Sequence, residues 1–126
     1  MARVKRGDSY EAICLHWCDG DTCKILYRCN SCHAWHETYL RIRHIDSYEP
    51  SGESAAAAAA IAIKLNAMLA GKKIEVIFSQ SNPENHGRLI GDIVHENGFI
   101  STWLVAQGMS WYLSSPQTQD LERKPL

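Results

Sequence analysis

The sequence predicts a mainly β, α+β domain: a small closed barrel of five strands, with a helix between strands three and four and a short helix after strand five. Three observations predict it. Segments rich in aromatic and β-favouring residues recur at 10–17, 22–28, 36–45, 73–78 and 88–95, separated by residues that favour turns. Between the third and fourth of them the apolar period changes from two to three or four. The 126 residues, 45% hydrophobic and 21% charged, are one domain's worth of chain with ordinary globular composition.

Each element has its own signature. YEAICLHW (10–17) is strand-like, and CDGDT (18–22) is a tight turn, because Asp and Gly tolerate the backbone angles a turn requires. TCKILYR (22–28) is the second strand and CNSCHA (29–34) a small polar hairpin connection. HETYLRIRHI (36–45) alternates, with Leu40 and Ile42 on one face and Arg41 and Arg43 on the other. Ser51 or Ser54 is expected to cap the helix and Gly71 to end it. Ala57, Ala58, Ile61, Leu65, Met68 and Leu69 form its apolar face. KIEVIF (73–78) and RLIGDIVH (88–95) are strands on either side of a loop containing Pro83 and Gly87. Ser101 or Thr102 is expected to cap a last short helix, TWLVAQ, stopped by Gly108. This order fits the OB-fold barrel, the oligonucleotide- and oligosaccharide-binding architecture. Residues 1–9 read as an N-terminal arm, 10–115 as the domain and 116–126 as a polar tail.

Composition removes several classes of function. The net charge is −1, so no global basic field attracts nucleic acid, and anion binding must come from local clusters. The longest apolar run, AAAAAAIAI, is mostly alanine and ends at Lys64, so no membrane partner is expected. MARVKRGDSYEAICLHW contains no signal-peptide pattern. Five cysteines are an odd number, which leans towards a reducing compartment. The expected setting is cytoplasmic or a mobile-element or phage product; an exported form stripped of its leader is the alternative.

RIRHIDSYEP (41–50) places two arginines on alternate strand positions and two acids where the strand should end. One explanation is a salt-bridged surface strand. The other is a site that holds a cation and a phosphate together. Carboxylate oxygens hold Ca²⁺ or Mg²⁺ beside a phosphodiester, and the metal neutralises charge on the reacting oxygens. Arginine offers a planar fork that matches phosphate, and a further carboxylate can deprotonate or orient water. The residues available for these roles are Asp21, Asp46, Glu49, Arg41 and Arg88.

Five blocks in order along the chain carry a family resemblance: DGDT (19–22), LRIRHIDSYE (40–49), LAGKKIEV (69–76), HGRLIGDI (86–93) and LVAQGMSW (104–111). Together they resemble the staphylococcal nuclease (thermonuclease) family over roughly residues 10–113. The resemblance implies a barrel nuclease that hydrolyses DNA and RNA with one Ca²⁺, single strands preferred. Asp21 and Asp46 would be metal ligands, with the Ser47 backbone carbonyl. Glu49 would be general base or water-orienting residue, and Arg41 and Arg88 would bind phosphate and stabilise the transition state. Tyr48 stands where the family usually has a proline that fixes the loop before Glu49. His86 stands where a nucleotide-binding tyrosine is common. His86, Arg43, Trp111 and Tyr112 are further candidates for substrate contact, the aromatics by stacking a base. The family carries a long helix after this region, so the resemblance leaves two expectations: a barrel of marginal stability alone, or a homodimer covering the exposed face. The alternatives are a non-catalytic OB-fold nucleic-acid-binding module and a zinc-stabilised interaction domain.

CNSCH (29–33) matches the haem-attachment pattern literally, but a hairpin without an export signal argues against haem. Cys29 and Cys32 also have zinc-knuckle spacing, and His33, His36, Cys14, Cys18 or Cys23 could complete four ligands. Free thiols are the simplest expectation, and a Cys29–Cys32 or cross-strand disulfide is a third.

Overall fold

The computed structural model describes residues 7–79 and 88–113. His86 and the tail from 116 onward lie outside the described residues, as does most of the N-terminal arm. The chain forms β1 (Ser9–Trp17), β2 (Thr22–Arg28), β3 (Trp35–Ile42), β4 (Ile45–Ser47), a 3₁₀ turn (Gly52–Ser54) and α1 (Ala55–Leu69). It continues with β5 (Lys73–Phe78), β6 (Arg88–His95), β7 (Gly98–Phe99), α2 (Ile100–Ala106) and β8 (Ser110–Tyr112).

Five strands in the order β3-β2-β1-β5-β6 close into a barrel, because β3 also pairs in parallel with β6. The other contacts around the barrel are antiparallel, so this is a mixed, OB-like barrel with helices between and after its strands. β1 serves two neighbours at once. Its register against β2 shifts between Cys14 and His16, the kind of irregularity that bends a strand around a small barrel.

The interior follows from period-two alternation. Ile25, Leu40, Ile42, Phe78 and Ile93 are buried, and α1 closes one side with Leu65 and Leu69. Each such side chain contributes about 1.5–3 kcal/mol on burial. Asn66 ties the helix to the sheet: its Oδ1 accepts from Trp17 N at 2.6 Å and its Nδ2 donates to Trp17 O at 3.2 Å. Gly71, at φ +80°, ends α1 and donates its N–H to Cys14 O at 2.7 Å.

Three local expectations are corrected. The third strand does not run to residue 45. His44 adopts φ +67° and Arg43 N donates to Gly91 O, so the chain turns at Arg43–His44 and leaves the barrel. The next three residues are β4, which pairs with β8. Neither expected serine cap acts as one: Ser54 occupies the N-cap position of α1, but its Oγ donates to Glu49 O instead. α2 begins at Ile100 with Phe99 as its N-cap, earlier than Ser101 or Thr102 would place it. Among the described residues, no helix is long and apolar enough to cross a membrane.

Candidate active site

The turn between β1 and β2 divides the labour of its two aspartates. Asp19 builds the turn: its Oδ1 accepts from the N–H groups of Asp21 and Thr22, both at 3.1 Å. Asp21 is thereby directed inward, where Thr22 Oγ1 donates to its Oδ1 at 2.8 Å. Gly20 sits beneath β4, and a Cβ there would overlap Ser47 Oγ. Ser110 Oγ in turn donates to Gly20 O at 3.1 Å, which locks the turn to β8.

Arg41 lies on β3 between Leu40 and Ile42, so it points away from the barrel interior, beneath the β1–β2 turn and β4. Its guanidinium is 3.0 Å from Asp21 Oδ2 and 3.5 Å from Asp46 Oδ1. The side chains of Arg41, Asp21 and Asp46 are 1%, 0% and 0% exposed. The Ser47 N–H also reaches both carboxylates, Asp21 Oδ2 at 3.1 Å and Asp46 Oδ1 at 2.9 Å, and Ser47 Oγ donates to Met109 O at 2.7 Å. A turn, a barrel strand and β4 thus deliver two carboxylates and one guanidinium to one buried point.

Beyond β4, Tyr48 rests edge-on against Trp111, ring centroids 5.2 Å apart. Trp111 is the register partner of Asp46, so Tyr48 is held by packing against β8. The backbone at Glu49 is held by the Ser54 hydroxyl, 2.9 Å from its carbonyl, and the Glu49 side chain is half-buried. Arg88, also half-buried, opens β6. It pairs with Tyr39, two positions before Arg41 on β3, so Arg41 and Arg88 emerge from the same face about 7 Å apart along the strands. Tyr112 is 54% exposed on β8.

Arg43 is engaged elsewhere. Its Nε donates to Asp92 Oδ2 at 3.1 Å, and its guanidinium lies 4.6 Å from the centroid of the Phe99 ring. Asp92 is fully buried and also receives the N–H and hydroxyl of Ser101. This junction joins the turn after β3 to β6 and α2, and an Asp mid-strand carries no local signal for a partner nine residues onward or 49 residues earlier.

The cysteines separate into groups. Cys14 and Cys23 face each other inside the barrel, Sγ to Sγ 3.3 Å. The hydrogen bond with Cys14, together with burial, pushes the Cys23 thiol well up. Cys18 is exposed at the turn. Cys29, Cys32 and His36 converge at the hairpin tip, their ligating atoms all within 4.8 Å of one another. Hydrogen bonding from Ser31, and then from the Cys32 backbone, holds the Cys29 thiol down at about 6.

Of the residues singled out in the sequence, the fold gathers Asp21, Arg41, Asp46 and Ser47 at one point, sets Arg88 on the same face, and gathers Cys29, Cys32 and His36 at another. In comparisons with known proteins, the chain matches no family model and no curated protein.

Proposed function

We propose that this chain is a divalent-cation-dependent endonuclease that hydrolyses DNA and RNA phosphodiesters with little sequence preference, favouring single strands. The observation that carries it is the buried meeting of Arg41 with Asp21 and Asp46. A buried group of two carboxylates and a guanidinium is in itself a weak source of stability. The donor set fits a hard divalent ion: Asp21, Asp46 and the Ser47 carbonyl would hold Ca²⁺ through oxygen. Bound there, the ion supplies charge neutralisation at the phosphoryl oxygens.

The chain's own residues supply the rest. Arg41 holds a cationic fork against both carboxylates at 1% exposure, so a phosphate reaches it only once the guanidinium swings off them. Released, it donates to a phosphoryl oxygen, and Arg88 donates to another from the same face. Glu49 takes a proton from water as the water oxygen bonds to phosphorus. The opposite P–O ester bond breaks, and the leaving oxygen takes a proton from solvent.

The burial of the trio favours one other reading, an ionic strut in a barrel that holds single-stranded nucleic acid without cutting it. Cleavage of single-stranded DNA and RNA with Ca²⁺ and with EGTA separates the two. Ca²⁺-dependent cutting abolished in Glu49→Gln and Arg88→Ala, with both variants folded, supports the nuclease. Binding that survives EGTA, with no cutting, supports the strut.

A further inference from the structure

We infer that the tip of the β2–β3 hairpin is a zinc site, with Cys29, Cys32 and His36 as its three protein ligands and a fourth position open to solvent. It stands independently of the nuclease reading, because it uses other residues and a different donor chemistry. Two sulfurs and an imidazole nitrogen suit Zn²⁺ and are poor ligands for Ca²⁺ or Mg²⁺. Tetrahedral bonds of about 2.0–2.3 Å put ligand atoms roughly 3.5–3.8 Å apart. Cys32 Sγ and His36 Nε2 are already 3.9 Å apart, and the whole set lies within 4.8 Å.

The loop holds this arrangement by itself. Cys29 N donates to Ala34 O at 2.8 Å, and His33 N donates to Cys29 O at 2.9 Å. His33 takes φ +60°, the left-handed turn that swings the chain back towards β3. His36 then falls in register with Tyr27, and its ring rests against the tyrosine ring, centroids 5.7 Å apart. Ser31 Oγ lies 3.2 Å from Cys29 Sγ, where it can steady the sulfur as an outer partner. The remaining cysteines are elsewhere: Cys14 and Cys23 are inside the barrel, and Cys18 is at the opposite end of the hairpin. Cys32 is exposed, so the fourth position faces water or an incoming donor. On binding, a ligating thiol that still carries its proton releases it to solvent as its sulfur bonds the metal.

The test uses the full chain, reduced and stripped with chelator, titrated with Zn²⁺ alone and with Co²⁺ as a spectroscopic substitute. The expected result is one ion per chain, held against a competing chromogenic chelator. Co²⁺ should give thiolate charge-transfer absorption and tetrahedral visible bands. Cys32→Ser and His36→Ala should each weaken binding by about 10-fold or more, with unchanged circular dichroism, and Cys18→Ser should bind like the parent. Absence of a cobalt–thiolate band, affinity indifferent to Cys32→Ser and His36→Ala, or half an ion per chain would each overturn the site as described. Cleavage activity enters none of these readouts, so failure here and failure of the nuclease reading remain distinguishable.

Discussion

The two ends of the β2–β3 hairpin are about 20 Å apart and handle polar chemistry in opposite ways. At the Thr22–Arg41 end, charges are buried and paired: the Arg41 guanidinium against the Asp21 and Asp46 carboxylates. Around the Arg28–Trp35 end, a buried Cys29, a half-buried His36 and an exposed Cys32 gather sulfur and nitrogen donors close to the surface. Removing one member at the buried end strands charge in a place water cannot reach, whereas at the exposed end water substitutes for what is lost. The same difference separates the two cations proposed for these ends. Oxygen donors with formal charge suit a hard ion, and sulfur with nitrogen suits zinc.

That comparison can be broken or sharpened by measurement. The largest effect is expected from Arg41→Ala, which leaves two buried carboxylates facing each other and should cost about 3–5 kcal/mol of stability. Urea denaturation would show it, and a loss below about 1 kcal/mol would mean that water or another group reaches the cluster. Glu49→Gln should leave the urea midpoint in place while lowering the rate of single-stranded DNA cleavage by about 100-fold or more. Unchanged cleavage would remove Glu49 from the chemistry. Asp92→Ala should cost about 1–3 kcal/mol, since Ser101 and Arg43 lose a buried acceptor. Arg43→Ala, on a side chain 21% exposed, should cost less than Asp92→Ala when the two are compared in one urea series. The smallest effect belongs to the exposed end: without metal, Cys32→Ser should shift stability by no more than about 0.5 kcal/mol. At one fixed zinc concentration, the melting temperature of the parent should then rise more than that of Cys32→Ser.

Much of the candidate site was legible because its members mark the ends of strands. Asp21 follows a Gly in a turn, and Asp46 and Glu49 follow the last alternating residue of β3, so type and position could be read together. Asp19 and Ser54 were not legible as what they are. Both are residues that cap or solvate turns anywhere, and only contacts show that Asp19 shapes the turn for Asp21 while Ser54 holds the backbone at Glu49. The cysteine hairpin was half legible: spacing named Cys29 and Cys32. The choice of His36 over His33 depended on strand register, with His36 opposite Tyr27 and His33 at the turn.

By itself, the sequence determined the elements whose signals are local. β2, β5 and β6 begin and end where alternation and turn residues place them, and α1 occupies the stretch where the apolar period changes. Barrel closure through the parallel β3–β6 pair, the departure of the chain at His44 into the β4–β8 pair, and the burial of Arg41 between two aspartates were decided only by tertiary structure. The physical reason is range. Propensity and periodicity act over a few neighbouring residues. Strand closure and ion pairing act between residues far apart in the chain, and geometry alone makes them neighbours.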